Sequence, residues 1–118
     1  MPHISVTIPV YNRAHLIGRT IESVLNQEFQ DFELLVVDDA SSDDTTKVVQ
    51  QYCRHDPRIK LVINPKNLGL TRNWNRCLDL ARCSLVQILL SDDLIDADYL
   101  ALDLLDFRTF KSHLTTNL

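Results

Sequence analysis

At 118 residues with a formal charge of −4, the chain is one domain long, and a domain of this size buries roughly two-thirds of the surface its unfolded form exposes. The 45% hydrophobic and 24% charged composition excludes a disordered chain, and twelve Lys and Arg scattered along it exclude the clustered basic footprint of a nucleic-acid binder. No apolar run approaches the roughly eighteen residues of a membrane span. Met1-Pro2-His3 runs straight into a strand, with no basic and apolar regions of a signal peptide. Cys53, Cys77 and Cys83 are odd in number and lie outside any zinc-type spacing, so they read as buried thiols in a reducing compartment. The expectation is a soluble, cytoplasmic protein.

Ile4 to Val10 is short and β-branched and predicts the first strand, with Pro9 tolerated near its end. Asn12 can cap a helix running to about Gln27, in which Ile17, Ile21, Val24 and Leu25 form an apolar face. Phe32 to Val37 is apolar almost throughout, as a strand covered on both faces requires, and it ends in Asp38-Asp39. Ser41 and Asp44 stand at capping-box spacing before a second helix with Val48, Val49, Tyr52 and Cys53 inward. Ile59 to Ile63 is the third strand, followed by the turn-rich loop Asn64 to Gly69 and a third helix with Leu70, Trp74, Cys77, Leu78 and Ala81 as its inner stripe. Leu85 to Leu90 is the fourth strand, and a last helix starts near Asp96 and continues through Leu100, Leu104, Phe107 and Phe110. The alternation predicts a three-layer α/β/α sandwich with a mostly parallel sheet and right-handed crossovers, a single domain over residues 1–118.

In such sheets ligands bind beyond the carboxyl ends of the strands. Three strands end there in polar residues: Tyr11-Asn12, Asp38-Asp39 and Ser91-Asp92-Asp93. Tyr11 can lay its ring over a base or close the sheet edge. Asp39 can accept an N–H from a base or cap its own turn-forming loop, whereas Asp38 faces inward or caps the turn. Asp92 and Asp93 repel each other unless a cation or donors offset their charge, and a divalent metal does this well; the alternative is a solvated helix start. Arg72 can reach a base or phosphate oxygen or simply face solvent. The four histidines share no spacing and receive no role.

Val6-Thr7-Ile8-Pro9-Val10-Tyr11-Asn12, Ile21-Glu22-Ser23-Val24-Leu25-Asn26-Gln27, the run from Glu33 to Thr45, Asn67-Leu68-Gly69 and Ser91-Asp92-Asp93 occur in an order that resembles the start of a family-two glycosyltransferase with the GT-A fold. The resemblance covers residues 3 to about 100. It implies inverting transfer of a sugar from a nucleotide-diphospho-sugar, commonly a UDP-sugar, to an acceptor hydroxyl on a saccharide, lipid or protein. By carry-over Pro9, Tyr11 and Asp39 would hold the nucleobase, Arg72 would assist, Asp92 would lie by the ribose or metal, and Asp93 would ligate Mn²⁺ or Mg²⁺. Two departures stand out. Leu90 occupies a position where the family often has a further aspartate. The family's acceptor-binding half and its base lie downstream of the acidic signature, so the catalytic base is expected beyond Leu118 and the chain reads as a truncated donor-binding half of low or no activity. A non-catalytic nucleotide-binding or interaction module is the alternative. A phosphoacceptor receiver domain is disfavoured, because strand one would then end in acids rather than Tyr11-Asn12. The apolar C-terminal stretch of Leu100, Leu102, Leu104, Leu105, Phe107 and Phe110 further suggests self-association.

Overall fold

A computed structural model describes residues 2–91, 95, 99 and 100. Seven elements follow in the expected alternation: β1 (Ile4–Val10), α1 (Ile17–Leu25), β2 (Phe32–Asp38), α2 (Thr45–His55), β3 (Ile59–Ile63), α3 (Leu70–Leu80) and β4 (Leu85–Ile88). The four strands form one sheet in the order β3-β2-β1-β4, parallel throughout. The chain adds strands outward from β1 to β3, then returns across the sheet to place β4 on the other side of β1. That reversal between β1 and β4 is a topological switch point, where a crevice opens at the carboxyl ends of the strands.

β1 and β2 are buried at every position, as central strands covered on both faces must be. The two faces differ in chemistry. Ile4, Val6, Ile8 and Val10 share one side with Leu34 and Val36, and there they meet Ile17, Ile21 and Val24 of α1 and Val49 of α2 in the main core. α1 is nine residues long and its N-cap residue, Leu16, makes no side-chain capping bond, so an isolated helix of this sequence would not persist. Burial of its three apolar side chains, worth roughly 1.5–3 kcal/mol each, holds it in place.

The opposite face carries Ser5, Thr7 and Glu33, with α3 laid over it. Glu33 is buried, and its carboxylate accepts from the Ser5 hydroxyl, the Arg82 amide at 2.9 Å and the Arg82 guanidinium at 2.8 Å. From α3, the Asn73 amide donates to the Val37 carbonyl at 3.0 Å, and burial pushes the Cys77 thiol up to about 12.

Several local expectations are corrected. Asn12 does not cap α1, which begins five residues later; its backbone is left-handed (φ 52°) and its side chain crosses to the β2–α2 loop. The Ser41–Asp44 capping box does not form: Ser41 donates to Asp38, and Thr45, the first residue of α2, is capped by Asp43. Leu70 is 67% exposed and Asn73 lies on the buried stripe of α3 instead. Cys77 is buried as expected, but Cys53 and Cys83 are half-buried. β4 ends at Ile88, two residues short of the predicted strand. The last helix falls almost wholly outside the described residues. Leu100 is an exception: it is fully buried in the main core, and its N–H donates to the Gln27 side chain at 3.0 Å, so it is no part of an unpartnered face. Among the described residues no helix is long and apolar enough to cross a membrane.

Candidate functional site

The early end of β4 has a cause in β1. Leu89 donates its N–H to the Thr7 carbonyl at 2.8 Å, and the next rung of a parallel ladder would run from residue 9 back to the carbonyl of Leu89. Residue 9 is proline, which has no N–H, so the pairing stops and the two chains part. On its other side β1 continues to bind β2, with Asp39 N–H donating to Val10 O at 2.8 Å. A cavity of about 440 Å³ lies at this parting, lined by Pro9, Val10, Tyr11, Arg13, Asp39, Asn67, Gly69, Leu70, Leu90 and Ser91. Every strand end of the sheet thus contributes to one crevice, and its volume lies in the range that encloses a small ligand.

Tyr11 and Arg13 are presented by a loop pinned to its neighbour. The Asn12 carboxamide oxygen accepts from Ser42 N at 2.8 Å and Asp43 N at 3.3 Å, while the N–H groups of Asn12, Arg13 and Ala14 donate to Ser41 Oγ (2.9 Å), Thr45 Oγ1 (2.9 Å) and Asp43 Oδ2 (3.2 Å). Burial tends to raise the Asp43 carboxyl, but donors from Thr45 and Ala14 outweigh it and hold the group below its ordinary value.

Asp39 forms the opposite wall and is 2% exposed. Its Oδ1 accepts from Leu68 N at 2.7 Å and Asn64 Nδ2 at 3.0 Å, and its Oδ2 accepts from Gly69 N at 3.0 Å. A carboxylate offers about four acceptor positions, so one on Oδ2 is left. Gly69 adopts φ 88° and ψ 162°, a region nearly closed to other residues, and this lets the loop fold back onto Asp39. Behind it Asn64 Nδ2 also donates to Asn73 Oδ1 at 2.8 Å, which ties the loop to α3. The sequence places Asp39 either against a base or as a cap of its own loop; the side-chain bonds it makes go to the β3–α3 loop rather than to its own. Asp38 is fully buried and binds Ser41 N at 2.9 Å and Ser41 Oγ at 2.5 Å, the inward, turn-capping arrangement expected of it.

The rim is apolar. Among the described residues four large hydrophobic side chains are exposed, and three of them, Tyr11 (45%), Leu70 (67%) and Leu90 (39%), line this cavity. Exposed apolar surface gathered around a concavity is surface that a flat ligand would cover. Among the described residues the charged lining is Arg13 and Asp39.

Of the candidate residues read from the sequence, Pro9, Tyr11 and Asp39 come together here. Arg72 is exposed on the first turn of α3 and is absent from the lining. Asp92 and Asp93 lie outside the described residues, but the chain leading to them is fixed: Ser91 lines the cavity, and its carbonyl accepts from Thr20 Oγ1 at 2.7 Å. Sequence reasoning missed Arg13, Leu70 and Leu90 as lining residues. The one available signal for Arg13 was its place directly after Tyr11-Asn12. Among the described residues no group of three or more His, Cys, Asp or Glu could hold a metal ion.

A family model described as Glycosyl transferase family 2 matches residues 5–107. The chain is 44% identical over 94 residues to a Campylobacter jejuni GalNAc(5)-diNAcBac-PP-undecaprenol beta-1,3-glucosyltransferase, matching over 79% of its own length and 30% of that relative. Among solved structures it resembles S. aureus TarS 1–349 in complex with UDP-GlcNAc, with TM-score 0.78 and 32% identity over 84% of this chain and 29% of that one. It also resembles mannosyltransferase PcManGT from Pyrobaculum calidifontis in complex with GDP-Man and Mn²⁺, with TM-score 0.75 and 30% identity over 81% and 29% of the two chains. The chain spans about three-tenths of the length of each of these proteins.

Proposed function

The chain belongs to glycosyl transferase family 2, a family of transferases with the GT-A fold, and from that premise we propose that its cavity is the donor site for a nucleotide-diphospho-sugar, most simply a UDP-sugar. The observation that carries this reading is the gathering of Tyr11, Asp39 and Ser91 around one crevice at the switch point of the sheet. The Tyr11 ring would cover the flat face of the base, with Pro9 and Leu70 completing an apolar slot. The remaining acceptor position of Asp39 would take an N–H from the base edge, as uracil N3–H offers. Arg72 would assist only from outside the cavity lining.

Asp93, with help from Asp92, would hold Mn²⁺ or Mg²⁺, and Asp92 would lie near the ribose. When bound, such a cation offsets the charge that develops on a departing diphosphate. Inverting transfer also needs a base within hydrogen-bond reach of the acceptor hydroxyl, on the face opposite the leaving group. We assign that base and the acceptor-binding surface to sequence beyond Leu118, in keeping with the greater length of the relatives, so residues 1–118 act as a donor-binding unit with little or no turnover of their own.

Calorimetry with UDP tests the reading. Binding is expected in the presence of Mn²⁺, reduced by chelator and weakened about fivefold or more in Tyr11→Ala, in line with the roughly 1–3 kcal/mol of base–aromatic stacking. No heat with UDP or GDP at millimolar concentration, with Mn²⁺ present, would refute it. Sugar transfer to an added acceptor at an ordinary enzymatic rate would refute the assignment of the base to sequence outside residues 1–118.

A further inference from the structure

Among the described residues Arg13 is the one cationic side chain that lines the cavity. It makes no ion pair with any described carboxylate, and its single side-chain nitrogen in use, Nη1, donates to the carbonyls of Asn12 at 3.0 Å and Tyr11 at 3.4 Å. Those two bonds fold the guanidinium back over its own loop and, among the described residues, leave Nε and Nη2 with their donors free. The loop itself is fixed: the amides of residues 12, 13 and 14 are each held by a side chain of the β2–α2 segment, and Asn12 turns the chain through a left-handed conformation between Tyr11 and Arg13. An exposed arginine on a mobile loop would lose much of its interaction energy to ordering. Here the backbone is ordered in advance, and the neighbouring ring already lines the same crevice.

We propose that Arg13 is the residue through which this site contacts the anionic part of its ligand, donating to a phosphate oxygen of the nucleotide from the unused edge of its guanidinium. The proposal rests on the donor-site reading and extends it to a residue with no role in the sequence-based assignment. The planar fork suits this contact, since it keeps one nitrogen on the loop carbonyls and offers the others in the paired geometry that matches phosphate, which an ammonium cannot do. Arg72, outside the lining, is the poorer candidate for the same contact.

The test is a ligand-observed NMR titration with uridine, UMP and UDP in excess Mg²⁺, comparing the unsubstituted chain with Arg13→Ala and Arg13→Lys. Arg13→Ala is expected to weaken UDP by about tenfold or more, the scale of one hydrogen bond to a charged group. UMP should lose less and uridine nothing, and Arg13→Lys should recover part of the loss. Melting temperatures should be unchanged, because the side-chain bonds of Arg13 stay within its own loop. Equal losses for all three ligands would overturn the proposal by assigning Arg13 to the base or to loop order, and undiminished UDP binding in Arg13→Ala would overturn it directly while leaving the donor site intact. Failure of the unsubstituted chain to bind any of the three would overturn both.

Discussion

Asp39→Asn separates two roles that one carboxylate could fill. The substitution keeps the volume of a side chain that is 2% exposed, so packing is preserved and only hydrogen bonding changes. Placed with its oxygen toward Leu68 N and Asn64 Nδ2, the new amide turns its NH₂ toward Gly69 N, and donor faces donor across what was a 3.0 Å bond. Placed the other way, it loses both bonds at Oδ1. The first arrangement is cheaper and still forfeits one bond to a charged acceptor, about 1.5–3 kcal/mol, and weakens two that were charge-assisted. Water can reach the partly exposed loop and recover some of this, so the expected loss is about 2–3 kcal/mol of a total that is typically about 5–15. With a urea slope of about 1–3 kcal/mol per molar, the unfolding midpoint should fall by about 0.7 M or more. Hydrogen exchange at the amides of Leu68 and Gly69 should accelerate more than exchange in the β1–β2 ladder. An unchanged midpoint, with those two amides exchanging as slowly as before, would refute the anchoring role. A loss of nucleotide binding in an Asp39 variant therefore speaks to base recognition only when the loop amides stay protected.

Gly69→Ala should cost about 1–3 kcal/mol from backbone strain alone, since the added Cβ would meet nothing within 4 Å while φ stays at +88°. A melting temperature lower by about 4 °C or more is expected, and a change of less than about 1 °C would show that the loop relaxes without penalty. Glu33 gives a pH signature. Burial raises its carboxyl, but the Ser5 hydroxyl and the amide and guanidinium of Arg82 outweigh that and hold it below the ordinary 4.5. A depressed folded value means that its contribution is present above pH 4.5 and is lost as pH falls through the folded value. Glu33→Gln should therefore be less stable than the unsubstituted chain at about pH 7, with urea midpoints converging below about pH 4.5; a gap that is constant or widens toward about pH 3 would contradict the assignment.

The strands were legible because their signal is local and redundant: Ile4 to Val10 is β-branched along most of its length and Phe32 to Val37 is apolar apart from Glu33, as burial on both faces favours. The errors share another cause. Asn12, Ser41 and Asp44 are all good capping residues, and sequence can read that chemistry but not the partner it will find. Asn12 found Ser42 and Asp43, some thirty residues away, only because parallel pairing of β1 and β2 brings their two ends side by side. Leu70 was misassigned on the same ground: an apolar residue at helical spacing reads as inward, yet the face that α3 covers carries polar partners for Asn73, and Leu70 sits at the cavity rim. That Arg13 and not Arg72 lines the crevice was equally invisible, since it depends on which side chain faces the crevice once both segments are folded against it.

The site is built from a contrast in hydrogen bonding across its two sides. Toward β2 and β3 nearly every polar group is committed: three successive amides of the β1–α1 loop are held by side chains, and three donors converge on Asp39. Toward β4 one bond is withheld, because Pro9 cannot supply the rung that would close the sheet. The first side is rigid and can hold a base against Tyr11 with no entropy lost in ordering the wall behind it, which is the condition under which a flat, weakly polar group is bound usefully. The second side opens where Ser91 lines the cavity, and the proposed diphosphate and its cation would need room there. A valine at position 9 would restore the missing donor, allow the Leu89 carbonyl to pair and narrow the crevice at its centre. Stability would rise or stay level while nucleotide affinity fell, an opposite movement that simple damage to the fold could not produce.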